Sequence, residues 1–418
     1  MKRLRFPKLG VSDYLKITIL GLGLTALSQS FHGLILPLRV LDFVGEAEKN
    51  TALGTITFLG LIIAMLWQPV ASAISDATST RWGRRKPFVI GGVIALMVFL
   101  LGVGLAPSLG ALFVFYCLMQ LASNTAQGPY QGYIPELVPP DYRGRASSVK
   151  SLMEIIGGAV GVLVVGRLLS GYSADQQTGL WIALAILSGL LLIILLYLWR
   201  RLHDPPVTAP LPKFRNPLLS YRFNLREVPG FGWFLASRLL VLMAGATIQQ
   251  FALYYVRDVI GVADPAGATA GFMVVAGVGM AASVFPAGYL ADRYGRSRLS
   301  LVAALIGAAG IMILIIWPTL TAVYIVAAIT GYATGTFVVV NWALATDLVV
   351  PGQEARYLAI VNMATAGGAA AARLIGPVID HFNGVSVNLG YQVMLSAALL
   401  YFVIGGLLIL KVKPPASR

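Results

Sequence analysis

The sequence predicts an all-helical membrane protein of twelve transmembrane helices, arranged as two six-helix pseudo-repeats. Three observations predict this fold class. Hydrophobic residues make up 57% of the 418 residues and charged residues only 11%, whereas a soluble globular protein carries about 25% charged residues. The chain contains twelve apolar runs of about the 20 residues that a spanning helix needs. A short basic hairpin between two such runs occurs twice, about half the chain length apart.

The twelve runs are helices, because only helices or closed barrels satisfy their backbone groups in lipid and the alternating pattern of barrel strands is absent. The basic start of the chain leads into an apolar run without a small-residue cleavage site, so we interpret that run as a retained first span. The predicted spans lie near residues 14–38, 51–75, 87–106, 109–134, 147–170, 178–200, 230–256, 268–291, 299–318, 320–346, 356–380 and 388–411.

Residues 201–229 interrupt the spans with several prolines and basic residues, a composition typical of a linker. We therefore expect an N-terminal bundle at 1–200, a linker at 201–229 and a C-terminal bundle at 230–418. The net charge of +14 is concentrated in alternate loops, the pattern of the positive-inside rule. This placement predicts that both termini and the linker are cytoplasmic, in the plasma (inner) membrane, and it argues against binding of nucleic acid.

The repeat is visible in two pairs of motifs. The hairpin at 76–86 corresponds to the hairpin at 292–298, and the segment 136–145 after the fourth span corresponds to 347–356 after the tenth. A pair of glycines follows each of the latter two segments. Matching motifs at matching positions predict parallel repeats.

The second hairpin, with its preceding residues 288–296, resembles the loop motif of the major facilitator superfamily, and the twelve-span layout is similar over the whole chain. In the first copy Ser72 takes the position of Gly288, and four residues separate Asp76 from Arg81. This longer form, together with residues 123–129, is similar to the sucrose-transporter and glycoside–pentoside–hexuronide:cation symporter branches. The resemblance implies a secondary active transporter that works by alternating access, with its central cavity lined by helices one, four, seven and ten.

Acids at the ends of helices stand unfavourably to the helix dipole and need partners. We expect Arg81 or Arg84 to pair with Asp76 and Arg293 or Arg296 to pair with Asp292, or each acid to face the N-terminus of a neighbouring helix. The resemblance implies that such networks close the cytoplasmic side in the outward-open state; the alternative is that they only anchor the topology. The candidate gating residues are Asp76, Arg81, Arg84, Glu136, Arg145, Asp292, Arg293, Arg296, Asp347 and Arg356.

Polar residues recur at helical spacing in the first, fourth, seventh and tenth spans, which places them on one face of each helix. Amides and hydroxyls that both donate and accept hydrogen bonds suit a neutral, polyhydroxylated ligand. The alternative is that they bond one helix to another. Arg238 could equally bind a sugar hydroxyl, a carboxylate or a structural acid. The candidate substrate-binding residues are Gln29, His32, Asn124, Gln127, Gln131, Arg238, Gln249, Asn341 and Trp342.

Glu154, about two turns into the fifth span, is the first candidate for proton coupling, with Asp42 and Asp380 behind it. An acid in a low-dielectric site has a raised pKa and can take up and release a proton as water access alternates. The alternative is a permanent ion pair with Lys150 or an arginine. The second span has no acid within the membrane, unlike the sodium-coupled melibiose-type symporters, which argues against sodium coupling.

These patterns predict proton-coupled uptake of a sugar or glycoside. Efflux of amphipathic compounds, transport of an organic anion and a non-transporting sensor or scaffold stay open as alternatives. The expected partners are a small-molecule substrate, a proton and the lipid bilayer, and we expect a monomer. The sequence shows no nucleophile–base pairing, metal cluster or phosphate loop, so we expect no enzyme activity, cofactor or metal.

Overall fold

The computed structural model describes residues 10–173, 175–202, 204, 230–348 and 354–412, with the side chains of residues 11–12 and 354–356 excepted. Within these residues, twelve helices are long and apolar enough to cross a membrane. The described residues contain no β-strand, only isolated bridge residues: Thr80 and Gly83, which pair in the first hairpin, and Ser173 and Gln176 before the sixth helix. The predicted all-helical fold class is confirmed.

The twelve helices are α1 Asp13–Leu41, α2 Lys49–Asp76, α3 Lys86–Leu105, α4 Leu109–Leu137, α5 Pro140–Leu168, α6 Thr178–Arg201, α7 Phe231–Ile260, α8 Pro265–Tyr294, α9 Arg296–Ile316, α10 Leu320–Leu348, α11 Tyr357–Val385 and α12 Leu389–Lys411. Several helices extend past the apolar runs that predicted them. The helix α5 begins at Pro140, well before the first residue of the predicted span, because proline is favoured at a helix start and a helix does not need apolar residues to continue.

The chain forms two compact units. The first contains the described residues up to Phe31, then Ile62–Leu168 and the described residues between 175 and 204. In this unit α1 packs along α5, α3 packs on α4, and α6 packs against α1 and α3.

The second unit contains His32–Leu61, Leu169–Ser173 and the described residues from 230 onwards. Here α8 and α9 pack on α10, and α12 packs on α7 and α9. The helix α11 packs on α7. Of the predicted linker 201–229, the structure describes only Arg201, Leu202 and Asp204, so the division into bundles 1–200 and 230–418 stays a prediction.

The glycine pairs of the repeat mark the same kind of contact in both units. A Cβ added at Gly157 on α5 would lie 2.1 Å from the carbonyl oxygen of Leu22 on α1. A Cβ added at Gly368 on α11 would lie 2.6 Å from the carbonyl oxygen of Leu239 on α7. Small residues let helix backbones approach closely in a membrane, so these glycines set the α1–α5 and α7–α11 spacing.

The helices α1 and α7 each contain a π-helical turn, at Phe31–Ile35 and Val256–Ile260. Such turns insert one residue into the helix and often occur at functional sites. The turn in α1 holds His32, and the turn in α7 holds Arg257 and Asp258.

Candidate functional site

The first hairpin closes around Arg85. One guanidinium nitrogen of Arg85 lies 3.1 Å from Asp76, and its Nε lies 2.9 Å from Glu136. Arg84 also donates to Glu136, at 2.6 Å, and this hydrogen bond raises the pKa of Arg84 above its ordinary value. The expected partner of Asp76 was Arg81 or Arg84, but Arg81 lies over the ring of its neighbour Trp82 instead.

Asp204, a residue that the sequence placed in the linker, completes this cluster. Its carboxylate accepts hydrogen bonds from the backbone N–H groups of Arg85 (2.7 Å) and Lys86 (3.0 Å) and from the hydroxyl of Tyr133 (2.7 Å). The N–H groups at a helix start have no partner within the helix, so Asp204 caps α3 from the end of α6.

The second hairpin is arranged differently. Arg296 pairs with Asp347 and donates to the carbonyl of Ala343 (2.7 Å). Asp292 and Arg293 are exposed, and Arg293 lies over the ring of Tyr294. Of the other gating candidates, Arg145 lies over Tyr142, and the side chain of Arg356 is outside the described residues.

The substrate-binding candidates of the first unit lie at different depths. Asn124 is buried and donates to the backbone carbonyl of Gln120, one turn before it on α4 (2.8 Å). Gln29 and Gln127 are half-buried, and Gln131 is exposed. His32 belongs to the second unit, where it is half-buried.

In the second unit the structure brings three candidates together. Arg238 on α7 donates to Asn341 on α10 (2.6 Å) and, through Nε, to Thr365 on α11 (2.9 Å). The guanidinium carbon lies 5.7 Å from the centre of the Trp342 ring. Gln249 is exposed further along α7. The sequence missed Thr365, since a threonine inside a helix gives no signal of its own.

The three coupling candidates have different surroundings. Glu154 is half-buried on α5, and its carboxylate lies 3.2 Å from Lys150. Asp42 pairs with Arg39 and accepts a hydrogen bond from the hydroxyl of Tyr172 (2.6 Å).

Asp380 has no cation beside it among the described residues. It accepts hydrogen bonds from the side chain of Asn50 (2.8 Å) and the backbone N–H of Thr51 (2.6 Å). Both donors lie in the first turn of α2, so Asp380 caps that helix from α11.

Glu154 also contacts α1. A Cβ added at Gly21 would lie 3.0 Å from the Cγ of Glu154. The backbone N–H of Gly21 donates to the hydroxyl of Tyr130 on α4 (3.1 Å). The carboxylate of Glu154 therefore lies where α1, α4 and α5 meet.

A second ionic cluster, which we name the Glu46 network, consists of Glu46, Lys49, Arg257 and Asp258. Lys49 is buried and its ammonium lies 2.5 Å from both Glu46 and Asp258. Arg257 donates to both carboxylate oxygens of Glu46 (2.5 and 3.2 Å). Burial opposes ionisation of Glu46, but the hydrogen bonds from Arg257 and Lys49 outweigh it and lower its pKa to about 2.

A small apolar pocket lies among the helices of the second unit. It is lined by Ile248, Ala252, Tyr255, Val256, Phe272, Leu314, Val323, Met394 and Leu395. None of the predicted site residues lines it, and eight of its nine lining residues are aliphatic, phenylalanine or methionine.

Comparison with known proteins agrees with the resemblance seen in the hairpins. The family described as "MFS/sugar transport protein" matches residues 48–412. The chain is similar to an uncharacterized symporter of Synechocystis sp., with 27% identity over 213 residues, which cover 48% of this chain and 36% of that protein. It is also similar to a sucrose transport protein of Arabidopsis thaliana, with 27% identity over 25% of this chain and 22% of that one.

A glucuronide carrier protein homolog of Escherichia coli is similar over most of its length, with 23% identity over 80% of this chain and 75% of that one. The matches to the Synechocystis and Arabidopsis proteins thus span less than two thirds of those relatives' length. Among solved structures, the D-xylose-proton symporter superposes with a TM-score of 0.74 at 17% identity, covering 96% of this chain and 98% of that one. At this identity the likeness supports the fold alone. The resemblance predicted from the sequence is confirmed.

Proposed function

Because the chain belongs to the MFS/sugar transport protein family, we propose that it carries a sugar or glycoside inward together with a proton, by alternating access. The chain is a membrane transporter and not an enzyme. A sugar is the proposed substrate because two relatives are a sucrose transport protein and a glucuronide carrier homolog.

The observation that carries proton coupling is the position of Glu154. Its side chain lies against Gly21 of α1, and its ionic partner, Lys150, is on its own helix. Protonation of Glu154 removes the attraction to Lys150 without leaving a cation trapped, because the side chain of Lys150 is 24% exposed and can extend its ammonium toward water. Asp42 and Asp380, by contrast, lie at helix ends within hydrogen-bonded clusters.

We further propose that Gln29, His32, Asn124, Gln127 and Gln131 contact the substrate from the N-terminal half of the chain. The positive-inside pattern supports cytoplasmic termini and a place in the plasma membrane. We propose a monomer as the transporting unit.

The test is uptake of labelled D-xylose, sucrose and D-glucuronate into proteoliposomes, with and without an imposed pH gradient. We expect uptake of at least one compound to rise with the gradient, and Glu154→Gln to abolish that rise. The control variant is Glu48→Gln, since Glu48 is an exposed acid in the loop before α2. Uptake that ignores the gradient in the native protein, or a full response in Glu154→Gln, would contradict the coupling assignment.

A further inference from the structure

We propose that Arg238 and Asn341 form a binding site for the carboxylate of the substrate, so that the transported sugar is a sugar acid or a glycoside of one. This inference rests on the proposed transport of sugars. The first observation is that the positive charge of Arg238 is buried without an acidic partner among the described residues. Arg238 lies about two turns into α7 and only 3% of its surface is exposed. A guanidinium buried at membrane depth is costly unless an anion accompanies it.

No acid among the described residues pairs with Arg238. The partners of Arg238 are the neutral side chains of Thr365, Asn341 and Trp342. The described acids of α7 to α12 are engaged or placed elsewhere: Asp258 binds Lys49, Asp264 caps α8, Asp292 is exposed, Asp347 binds Arg296, and Asp380 caps α2. Within the part of the chain that the structure describes, the cation therefore has no counter-charge.

Around Arg238 the side-chain hydrogen-bond acceptors are already engaged, whereas some N–H donors have no partner among the described residues. Thr365 accepts from Arg238 and donates to the carbonyl of Val361 (3.1 Å). Asn341 accepts from Arg238 through Oδ1, which turns its amide nitrogen away from the cation. That nitrogen, Nδ2, is buried and has no hydrogen-bond partner among the described residues. The second terminal nitrogen of Arg238 makes no hydrogen bond to them either.

A cluster that offers only N–H donors and one positive charge favours a ligand that accepts hydrogen bonds and carries a negative charge. An ionised carboxylate accepts hydrogen bonds and donates none, whereas a sugar hydroxyl does both. A neutral sugar would leave the charge unbalanced. A carboxylate can accept from Arg238 and Asn341 together, in the charge-assisted geometry that guanidinium groups favour. A phosphate shares this acceptor chemistry but carries more charge than one arginine balances, and the experiment separates the two.

The experiment compares sugars that differ only at one carbon. Uptake into proteoliposomes is measured for D-glucose, D-glucuronate and D-glucose 6-phosphate, for D-galactose with D-galacturonate, and for methyl β-D-glucoside with methyl β-D-glucuronide. We expect the acid of at least one pair to enter roughly tenfold faster or more, because hydrogen bonds to a charged group carry that discrimination. Arg238→Gln should bring the two rates of the pair together, and Arg238→Lys should keep part of the preference.

A matched variant separates binding from structural support. Arg39 is as deeply buried as Arg238 but pairs with Asp42, so Arg39→Gln leaves an unpaired acid and should lower the melting temperature of the detergent-solubilised protein strongly. Arg238→Gln leaves no charge unpaired and should melt near the native temperature. An Arg238→Gln protein that melts as early as Arg39→Gln would make Arg238 a structural cross-link and overturn the inference.

The remaining outcomes are also distinct. Equal uptake of neutral and acidic partners, faster uptake of the 6-phosphate, or a preference unchanged in Arg238→Gln would overturn the carboxylate site while sugar transport stands. Uptake of none of these sugars would overturn the proposed function. In that case, stabilisation of the native protein, but not of Arg238→Gln, by D-gluconate would still support a carboxylate site.

Discussion

The carboxylate of Asp380, in the second half of α11, accepts a hydrogen bond from the backbone N–H of Thr51 in the first turn of α2, at 2.6 Å. Its other oxygen accepts from the side chain of Asn50. Gly376, one turn earlier on α11, makes this contact possible, because a Cβ there would lie 2.3 Å from the carbonyl oxygen of Asn50. An acid on one helix thus supplies the N-terminal cap of another.

Asp380→Asn should destabilise the protein, because a neutral amide interacts less favourably with the N-terminal dipole and accepts through one oxygen only. The expected loss is about 1 kcal/mol, seen as a lower melting temperature. The control Glu48→Gln should melt like the native protein. Unchanged stability together with lost pH-gradient dependence would instead make Asp380 a coupling residue.

The Glu46 network predicts a pH dependence. The hydrogen bonds of Glu46 hold its pKa at about 2, below the ordinary 4.5, so its stabilising effect is fully present above about pH 4.5 and is lost as the pH falls toward 2. Because the side chain of Glu46 is 64% exposed, water screens these pairs and the effect is modest. The native protein should therefore melt at a higher temperature than Glu46→Gln at about pH 4.5, and this difference should become smaller as the pH falls toward 2.

The same difference should also shrink at high salt, because exposed ion pairs are screened. Glu48→Gln is the control here too, since Glu48 is in the same loop and forms no ion pair with another described residue. A difference that stays constant down to pH 2, or one that Glu48→Gln reproduces, would contradict the role given to Glu46.

The sequence predicted the fold because span length and charge placement are local properties, and each apolar run reports its own helix. The partners of the charged groups could not be predicted in this way. Arg84 and Arg85 are adjacent and both bind Glu136. Which of the two also reaches Asp76 depends on the directions of their side chains at the start of α3, and the sequence does not give these directions. The contact between Thr51 and Asp380 joins residues 329 positions apart, and no spacing within either helix points to it.

The sequence also groups residues whose surroundings differ in the structure. Three acids were grouped as candidates for proton coupling, but their partners differ. Asp42 accepts from a tyrosine hydroxyl, Glu154 pairs with a lysine, and Asp380 accepts from a backbone N–H. For Arg238 the sequence leaves a sugar hydroxyl, a carboxylate and a structural acid open as partners. Its lack of an acidic partner becomes visible only when helices α7, α10 and α11 are placed together.

Asp204 should be needed to hold the first hairpin. Its carboxylate accepts two backbone N–H groups at the start of α3 and the hydroxyl of Tyr133. Asp204→Ala should lower the stability by about 1–3 kcal/mol, since it leaves these donors unsatisfied. The control is Asp141→Ala, at an exposed acid in the first turn of α5. Equal melting temperatures for the two variants would show that water replaces Asp204 without cost.

The contact between α1 and α5 gives a steric prediction. A methyl group at Gly157 would lie 2.1 Å from the carbonyl oxygen of Leu22, so Gly157→Ala must push the two backbones apart. Overpacking of this kind costs about 1–3 kcal/mol, and the variant should melt earlier and transport more slowly. In Gly189→Ala on α6 the new methyl group meets nothing within 4 Å, and alanine favours the helix, so that variant should be as stable as the native protein. Both changes add the same methyl group to a membrane helix. Equal melting temperatures would therefore mean that α1 and α5 leave room for a methyl group at Gly157, and the glycine pair would have no packing role.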